Sequence, residues 1–222
     1  RGYPSVQRDE LFRQVAGLFA NRIQVAIHCN GDASIDDGLD AIEAAMNLHP
    51  WAEARPLIIH AQMTRLDQIE RMAALGVTPS FFSAHTYYWG DRHAAIFMGP
   101  ERAANMSPAR WALEAGVRFS SHLDTPVTPM LPLQAVWSQV NRESTAGVVI
   151  GPNQRIDRLS ALRAVTIDAA WQVFMDDEIG SIEPGKRADL VVLSDNPLSA
   201  ENIRSIKVDR TIIDGATVYI RP

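Results

Sequence analysis

Three residues able to hold a metal ion stand at or just past the ends of strand-like runs in this chain. His28 closes Val25-Ala-Ile-His28, His60 closes Pro56-Leu-Ile-Ile-His60, and Asp124 ends Val117-Arg-Phe-Ser-Ser-His-Leu-Asp124. His85 follows a further run, Val77-Thr-Pro-Ser-Phe-Phe82. An apolar run stopped by a turn is the pattern of a buried β-strand. Parallel strands of one sheet bring their ends to a common rim, where α/β proteins gather ligand-binding groups. Residues distant in sequence therefore converge. Neutral imidazole and carboxylate are suitable donors for a divalent ion such as zinc. A water held by that ion loses a proton near neutral pH and becomes a nucleophile, while the ion polarises a carbonyl. His28, His60 and Asp124 are thus the candidate metal ligands, and Asp124 is placed to shuttle the proton as well. His122, two residues before Asp124, shares its side of an extended strand. It is a candidate to orient a metal-binding imidazole by hydrogen bonding. A single strand-end histidine is usually a hydrogen-bonded core residue, and it is the recurrence that argues for a site.

The elements that must position these groups alternate. Leu11, Val15, Leu18 and Phe19 recur at helical spacing over 5–21, behind Ser5 as cap. After the strand ending at His28, a helix is expected from about Ser34 to Leu48, capped by Ser34 with Asp37 three residues on. Asp36 and Asp37 then decorate its first turn. His49 reads as its surface end. Thr64-Arg-Leu-Asp67 reads as a capping box for a helix reaching Leu75 and stopped by Gly76. The third strand leads into a polar-aromatic loop over 83–93. In that loop Tyr87, Tyr88 and Trp89 either line a pocket or pack on one another, and His93 is left open. Ser107-Pro108 opens a helix ended by Gly116, and the fourth strand runs to Asp124. Two more helices are expected near 131–141 and 159–174. The pattern then changes to short β-rich runs at 188–193, 203–208, 211–213 and 216–220, with Asp214-Gly215 as a hairpin turn. A domain boundary is placed near 178. The whole reads as an α/β protein of four parallel βα units followed by a smaller β domain.

Composition narrows the function classes. Of 222 residues, 46% are hydrophobic and 21% charged, as in an ordinary globular protein. The balance of 21 basic against 26 acidic residues, with no basic run longer than Lys186-Arg187, argues against nucleic acid as a partner. No apolar stretch approaches the length of a membrane span, so no membrane partner is expected. The single Cys29 cannot form an internal disulfide, which suits a reducing, cytoplasmic setting. Arg1-Gly-Tyr-Pro carries neither an initiator Met nor a signal-peptide pattern, so the chain is expected to continue a longer protein.

Val25-Ala-Ile-His-Cys-Asn-Gly-Asp32, Ile59-His-Ala-Gln62, His122-Leu-Asp-Thr-Pro-Val127 and Gly180-Ser-Ile-Glu-Pro-Gly-Lys-Arg-Ala-Asp-Leu-Val-Val-Leu193 together resemble the amidohydrolase superfamily. The branch they resemble is the YtcJ-like amidohydrolase family 3, which includes N-substituted formamide deformylases. The likeness covers nearly the whole chain in order. It implies the C-terminal half of a (β/α)8 TIM barrel, strands five to eight, over 1–178. It also implies the C-terminal strands of a composite β-sandwich over 179–222.

By the resemblance, His28 and His60 match the metal histidines after strands five and six, and Asp124 the catalytic aspartate after strand eight. His85 lies where the family often has a histidine near the substrate, there to position it or stabilise an oxyanion. Arg102, in Glu101-Arg102, and Asp32, in the first motif, join His122 as supporting or substrate-side residues. The implied cofactor is one or two divalent ions, most simply zinc. The implied reaction is hydrolysis of a C–N bond in a small amide-like molecule. Two departures concern the surroundings of the ligands: Ile59 stands where the family usually has Glu, and His122-Leu-Asp124 where it often has Gly-Ser-Asp. The family's His-x-His after strand one and its bridging ligand on strand four would lie before Arg1. The chain alone is therefore expected to bind zinc weakly or not at all. Its open strand edges are expected to meet the first half of the barrel or a second copy. Two alternatives stay open: a non-catalytic binding or structural module, and a deaminase of an aminated ring.

Overall fold

The computed structural model describes residues 3–222. Helix α1 (Arg8–Ala20) precedes strand β1 (Ala26–Cys29), α2 (Asp32–Leu48), β2 (Leu57–His60), α3 (Leu66–Leu75) and β3 (Thr78–Phe81). Helix α4 (Ala84–Arg92), a π-helical turn (His93–Phe97), α5 (Pro100–Ala104) and α6 (Ala109–Glu114) lead to β4 (Ser120–Ser121). Helices α7 (Pro132–Asn141), α8 (Arg158–Arg163) and α9 (Ile167–Gln172) complete this part. The four strands form one parallel sheet in the order β1-β2-β3-β4, as the alternation predicts. Pairing sets Cys29 opposite His60, His60 opposite Phe81 and Phe81 opposite Ser121, so all four strands end on one rim.

Helix α2 buries Ile35, Leu39 and Ile42 against Ile58 of β2 and against Val15 and Phe19 of α1. It lies close to the sheet because residue 38 is glycine: a Cβ there would sit 3.2 Å from Ile58 Cδ1 and 3.3 Å from Cys29 Sγ. Helix α3 stops at Gly76, in the left-handed conformation (φ 66°) that glycine adopts at no steric cost.

Several local expectations are corrected. Helix α1 begins at Arg8 without a side-chain cap, and Ser5 lies outside it. Helix α2 begins at Asp32 with Gly31 as cap, so Asp36 and Asp37 fall in its second turn, and Ser34 Oγ donates to Gly31 O instead of capping. The capping interaction of α3 is shifted by one residue: Arg65 N donates to Gln68 Oε1 at 3.0 Å, while Thr64 Oγ1 donates back to Ala61 O. Helix α6 starts at Ala109, with Pro108 as its cap residue. The segment 83–93 is mostly helix, not loop. Helical packing overrides its weak helix formers, because Gly90 admits Ile150 Cγ1 to 3.0 Å of where a Cβ would stand. The fourth strand shrinks to two residues. The helix expected over 159–174 breaks at Thr166 (φ −130°, ψ −105°).

The tail forms a separate antiparallel sheet of β5 (Leu190–Leu193), β6 (Val208–Ile213) and β7 (Ala216–Ile220). Asp214 (φ 51°) and Gly215 (φ 77°) make the hairpin turn that Asp-Gly predicts. Between β5 and β6 the chain returns to the first sheet's side. Ala200, Ile203 and Ile206 are buried in the main core, and Ile203–Ser205 is a 3-10 turn where a strand was expected. Arg158 Nη1 donates to Ala200 O at 2.7 Å and Arg204 Nη2 to Tyr87 Oη at 2.8 Å. Among the described residues no helix is long and apolar enough to cross a membrane.

One buried cation organises the loops below α4. Arg142 is 2% exposed. Its guanidinium donates to the carbonyls of Ile150 (2.8 Å), Met106 (2.9 Å), Ser107 (3.3 Å) and Ala104 (3.3 Å). Burial pushes its pKa down to about 9, so the charge persists at neutral pH and the four carbonyls compensate it. Gly151 closes the same clamp: a Cβ there would lie 1.7 Å from Ala104 O. Lysine has no planar fork to reach four acceptors. Arg142→Lys is expected to lower the unfolding free energy by about 3 kcal/mol, measured by urea titration. Gly151→Ala is expected to be at least as damaging in the same titration.

Candidate active site

At the rim of the parallel sheet, five of the six histidines gather: His28, His60, His85, His93 and His122. The His28 and His60 rings meet edge to face, with centroids 4.5 Å apart at 83°. His60 lies 4.9 Å from His122 and 5.9 Å from His85 by the same measure. Phe82 packs under the group, 4.1 Å from His85 and 5.4 Å from His122. A cavity of about 350 Å³ opens here. Its wall includes His28, His60, His85 and Asp124, together with Asn30, Trp89, Arg92, His93 and Phe97.

The backbone is bent where the donors sit. His60 (φ 69°), Ala61 (φ 45°) and Asp124 (φ 53°) hold left-handed conformations that cost non-glycine residues about 1–3 kcal/mol each. Such strain persists only where the surroundings over-determine it, as at a functional site. A relay fixes the His60 ring. His60 Nδ1 and His122 Nε2 lie 3.1 Å apart, and His122 Nδ1 lies 2.9 Å from Ser80 Oγ, which accepts from Ser120 Oγ at 2.8 Å. If His60 donates along this line, its Nε2 is left as a lone pair for a ligand.

Burial disfavours the charged form of these imidazoles. It lowers the pKa of His60, helped by the neighbouring His28. Burial and the nearby His60 take His122 down to about 4, and burial with the surrounding histidines takes His85 down to about 3. At neutral pH all three are therefore neutral donors or acceptors rather than charges. Asn30 Oδ1, His85 Nδ1 and His93 Nδ1 are buried without a protein partner, and all three residues line the cavity. Unpaired buried polar atoms of that kind are what a ligand would satisfy.

The donor types suit a divalent ion, and their number is the limit. Among the described residues no group of three or more His, Cys, Asp and Glu side chains is gathered closely enough to hold one. The chain's residues fit as part of a shell, to which other ligands must be added.

The remaining sequence candidates separate. Arg102 Nη2 donates to Asp32 Oδ2 at 3.0 Å. The pair lies in a neighbouring groove with Arg65, Glu101 and Trp111, outside the histidine cavity. Tyr87 turns away to Arg204 and Trp137, Tyr88 packs on Trp89, and Trp89 alone of the three lines the cavity. His93 enters the wall with its Nε2 3.0 Å from Gln62 Nε2. Arg92 and Asn30 were not singled out from sequence. The signal for Arg92 was present: His85, Trp89, Arg92 and His93 follow the i, i+4, i+7, i+8 spacing of one helix face.

Residues 1–219 match the model of the amidohydrolase family. The chain is 34% identical over 201 residues to the N-substituted formamide deformylase of Arthrobacter pascens, covering 90% of this chain and 37% of that protein. It is 27% identical over 207 residues to the protein named amidohydrolase YtcJ of Bacillus subtilis (strain 168), with 89% and 37% covered. A metal-dependent hydrolase structure from Pyrococcus horikoshii superposes with a TM-score of 0.76 at 25% identity, over 90% of this chain and 40% of that one. The chain thus spans about 37% of the length of these curated relatives. With four parallel βα units, a rim of histidines and a family match over nearly its full length, this chain belongs to the amidohydrolase family.

Proposed function

We propose that this chain contributes half of the active site of a metal-dependent hydrolase that cleaves the C–N bond of a small amide. The supporting observation is the rim itself: His28 and His60 edge to face, His60 braced by His122, and Asp124 on the wall of the same cavity. His28, His60 and Asp124 would be the metal ligands this chain supplies, with zinc the simplest ion by donor type. Bound there, the ion would acidify water and polarise the amide carbonyl.

The chain's residues then have separate tasks. The carboxylate of Asp124 accepts a proton as water oxygen adds to the carbonyl carbon. It returns that proton to the nitrogen as the C–N bond breaks, leaving a carboxylic acid and an amine. His85, neutral and half-buried, hydrogen-bonds the substrate or the developing oxyanion. His122 sets the direction of the His60 ring through their shared hydrogen bond. In this reading residues 1–178 belong to the second half of a (β/α)8 barrel and 179–222 to a β-sandwich, the rest of the barrel supplying the missing ligands.

The test measures amine release from N-substituted formamides and related simple amides, using metal-loaded protein in the longest natural form that contains this chain. Asp124→Asn is expected to lower kcat by about 10²–10⁴-fold with metal content checked. His85→Ala is expected to act more on KM and less on kcat. Near wild-type turnover in the first variant beside a dead second one would reverse the two roles. His122→Ala is expected to weaken metal binding by about 10–100-fold, read by titration against a competing chelator, with unchanged circular dichroism. Unaltered metal affinity would remove the positioning role.

A further inference from the structure

Resting on the hydrolase reading of the same cavity, we infer that the substrate is an amide whose far end carries a carboxylate, and that Arg92 receives it. Two opposite charges stand on the cavity wall and are kept apart. Asp124 is its one carboxylate and Arg92 its one guanidinium, and no ion pair joins them. Arg92 makes no hydrogen bond or ion pair to any described residue, whereas neighbouring arginines are committed: Arg65 to Asp36 and Asp67, Arg71 to Asp40 and Glu43, Arg102 to Asp32. The nearest acid in sequence, Asp91, instead accepts from Ser144 Oγ at 2.9 Å.

The helix explains how this arginine reaches the site. Arg92 lies seven residues after His85 and three after Trp89 on α4, so all three share one face, and all three line the cavity. His85 is half-buried with its Nδ1 atom shielded from solvent, and Arg92 is exposed. Trp89 and Phe97 line the space, and Phe97 is 67% exposed. A molecule with its amide among the histidines, an apolar body on Trp89 and Phe97, and a carboxylate at the mouth would complement each wall in turn. A guanidinium fork pairs with a carboxylate in two parallel hydrogen bonds, which sets orientation as well as affinity. The opposite charges at the two ends would favour one direction of entry.

The test is equilibrium binding by calorimetry on chelator-treated protein, so that no turnover intervenes. N-benzoylglycine and N-benzoylglycinamide are matched probes that differ at the terminal carboxylate. Wild-type protein is expected to bind the acid about tenfold more tightly than the amide. Arg92→Gln is expected to abolish that ratio by weakening only the acid, and Arg92→Lys to keep part of it. Arg210→Gln, changing an exposed arginine on β6, is expected to leave the ratio intact and serves as the control. Equal affinities in the wild type, a ratio that survives Arg92→Gln, or no measurable binding of the acid would each overturn the inference. The two readings fail separately. Turnover of neutral amides without an acid preference would remove this one and keep the hydrolase, and an acid preference without turnover would do the reverse.

Discussion

The site depends on one constraint, the register of four short parallel strands. Each strand is held by its neighbours at a fixed offset, with Cys29 beside His60 and His60 beside Phe81. A slip of one residue would turn every side chain to the opposite face. His28 and His60 meet edge to face because that offset is fixed, and the left-handed turns at His60 and Asp124 begin where the ladder ends. The helices serve the register. Ile35, Leu39 and Ile42 of α2 press on Ile58, with Gly38 letting them come close.

Burial then sets the chemistry available at the rim. Histidines crowded over Phe82 resist protonation, since each would have to hold a charge in an apolar setting beside other imidazoles. His60, His85 and His122 are therefore lone pairs and neutral N–H groups rather than positive charges. Asp124 and Arg92, the one carboxylate and the one guanidinium on the cavity wall, are the groups that give it polarity. The contrast with Arg142 is instructive. That guanidinium stays buried because four carbonyls surround it, and it stabilises loops rather than meeting a ligand.

Much of this was legible in the residues, and the illegible parts share a cause. The first two strands could be read because each is a continuous apolar run closed by histidine, the third and fourth because each follows a glycine-stopped helix, and their order followed from the alternation with helices. Asp214-Gly215 and Gly76 could be read because few residues tolerate their backbone angles. Segment 84–92 could not, since Thr, Tyr, Trp and Gly favour no helix locally and only packing against Ile150 and the core supplies it. The same blindness hid Arg92, whose meaning depends on the helix beneath it. Ile203–Val208 looked like a strand by its apolar content, yet Ile203 and Ile206 spend that content in the core of the other sheet. The His85 and His122 positions could be named in advance; that His122 braces His60 through a hydrogen bond needed coordinates.

That return of Ala200–Ile206 to the main core has a bearing on how such a protein can be inherited. The last three strands look like a detachable module, but the chain joining the first of them to the second is itself part of the barrel-side core, through Ala200, Ile203 and Ile206. Exchange of the tail between two relatives would import three interior side chains along with the sheet. Their volumes would have to suit a foreign α7. Recombination at the apparent seam would therefore have to keep these three side chains compatible with the core they enter.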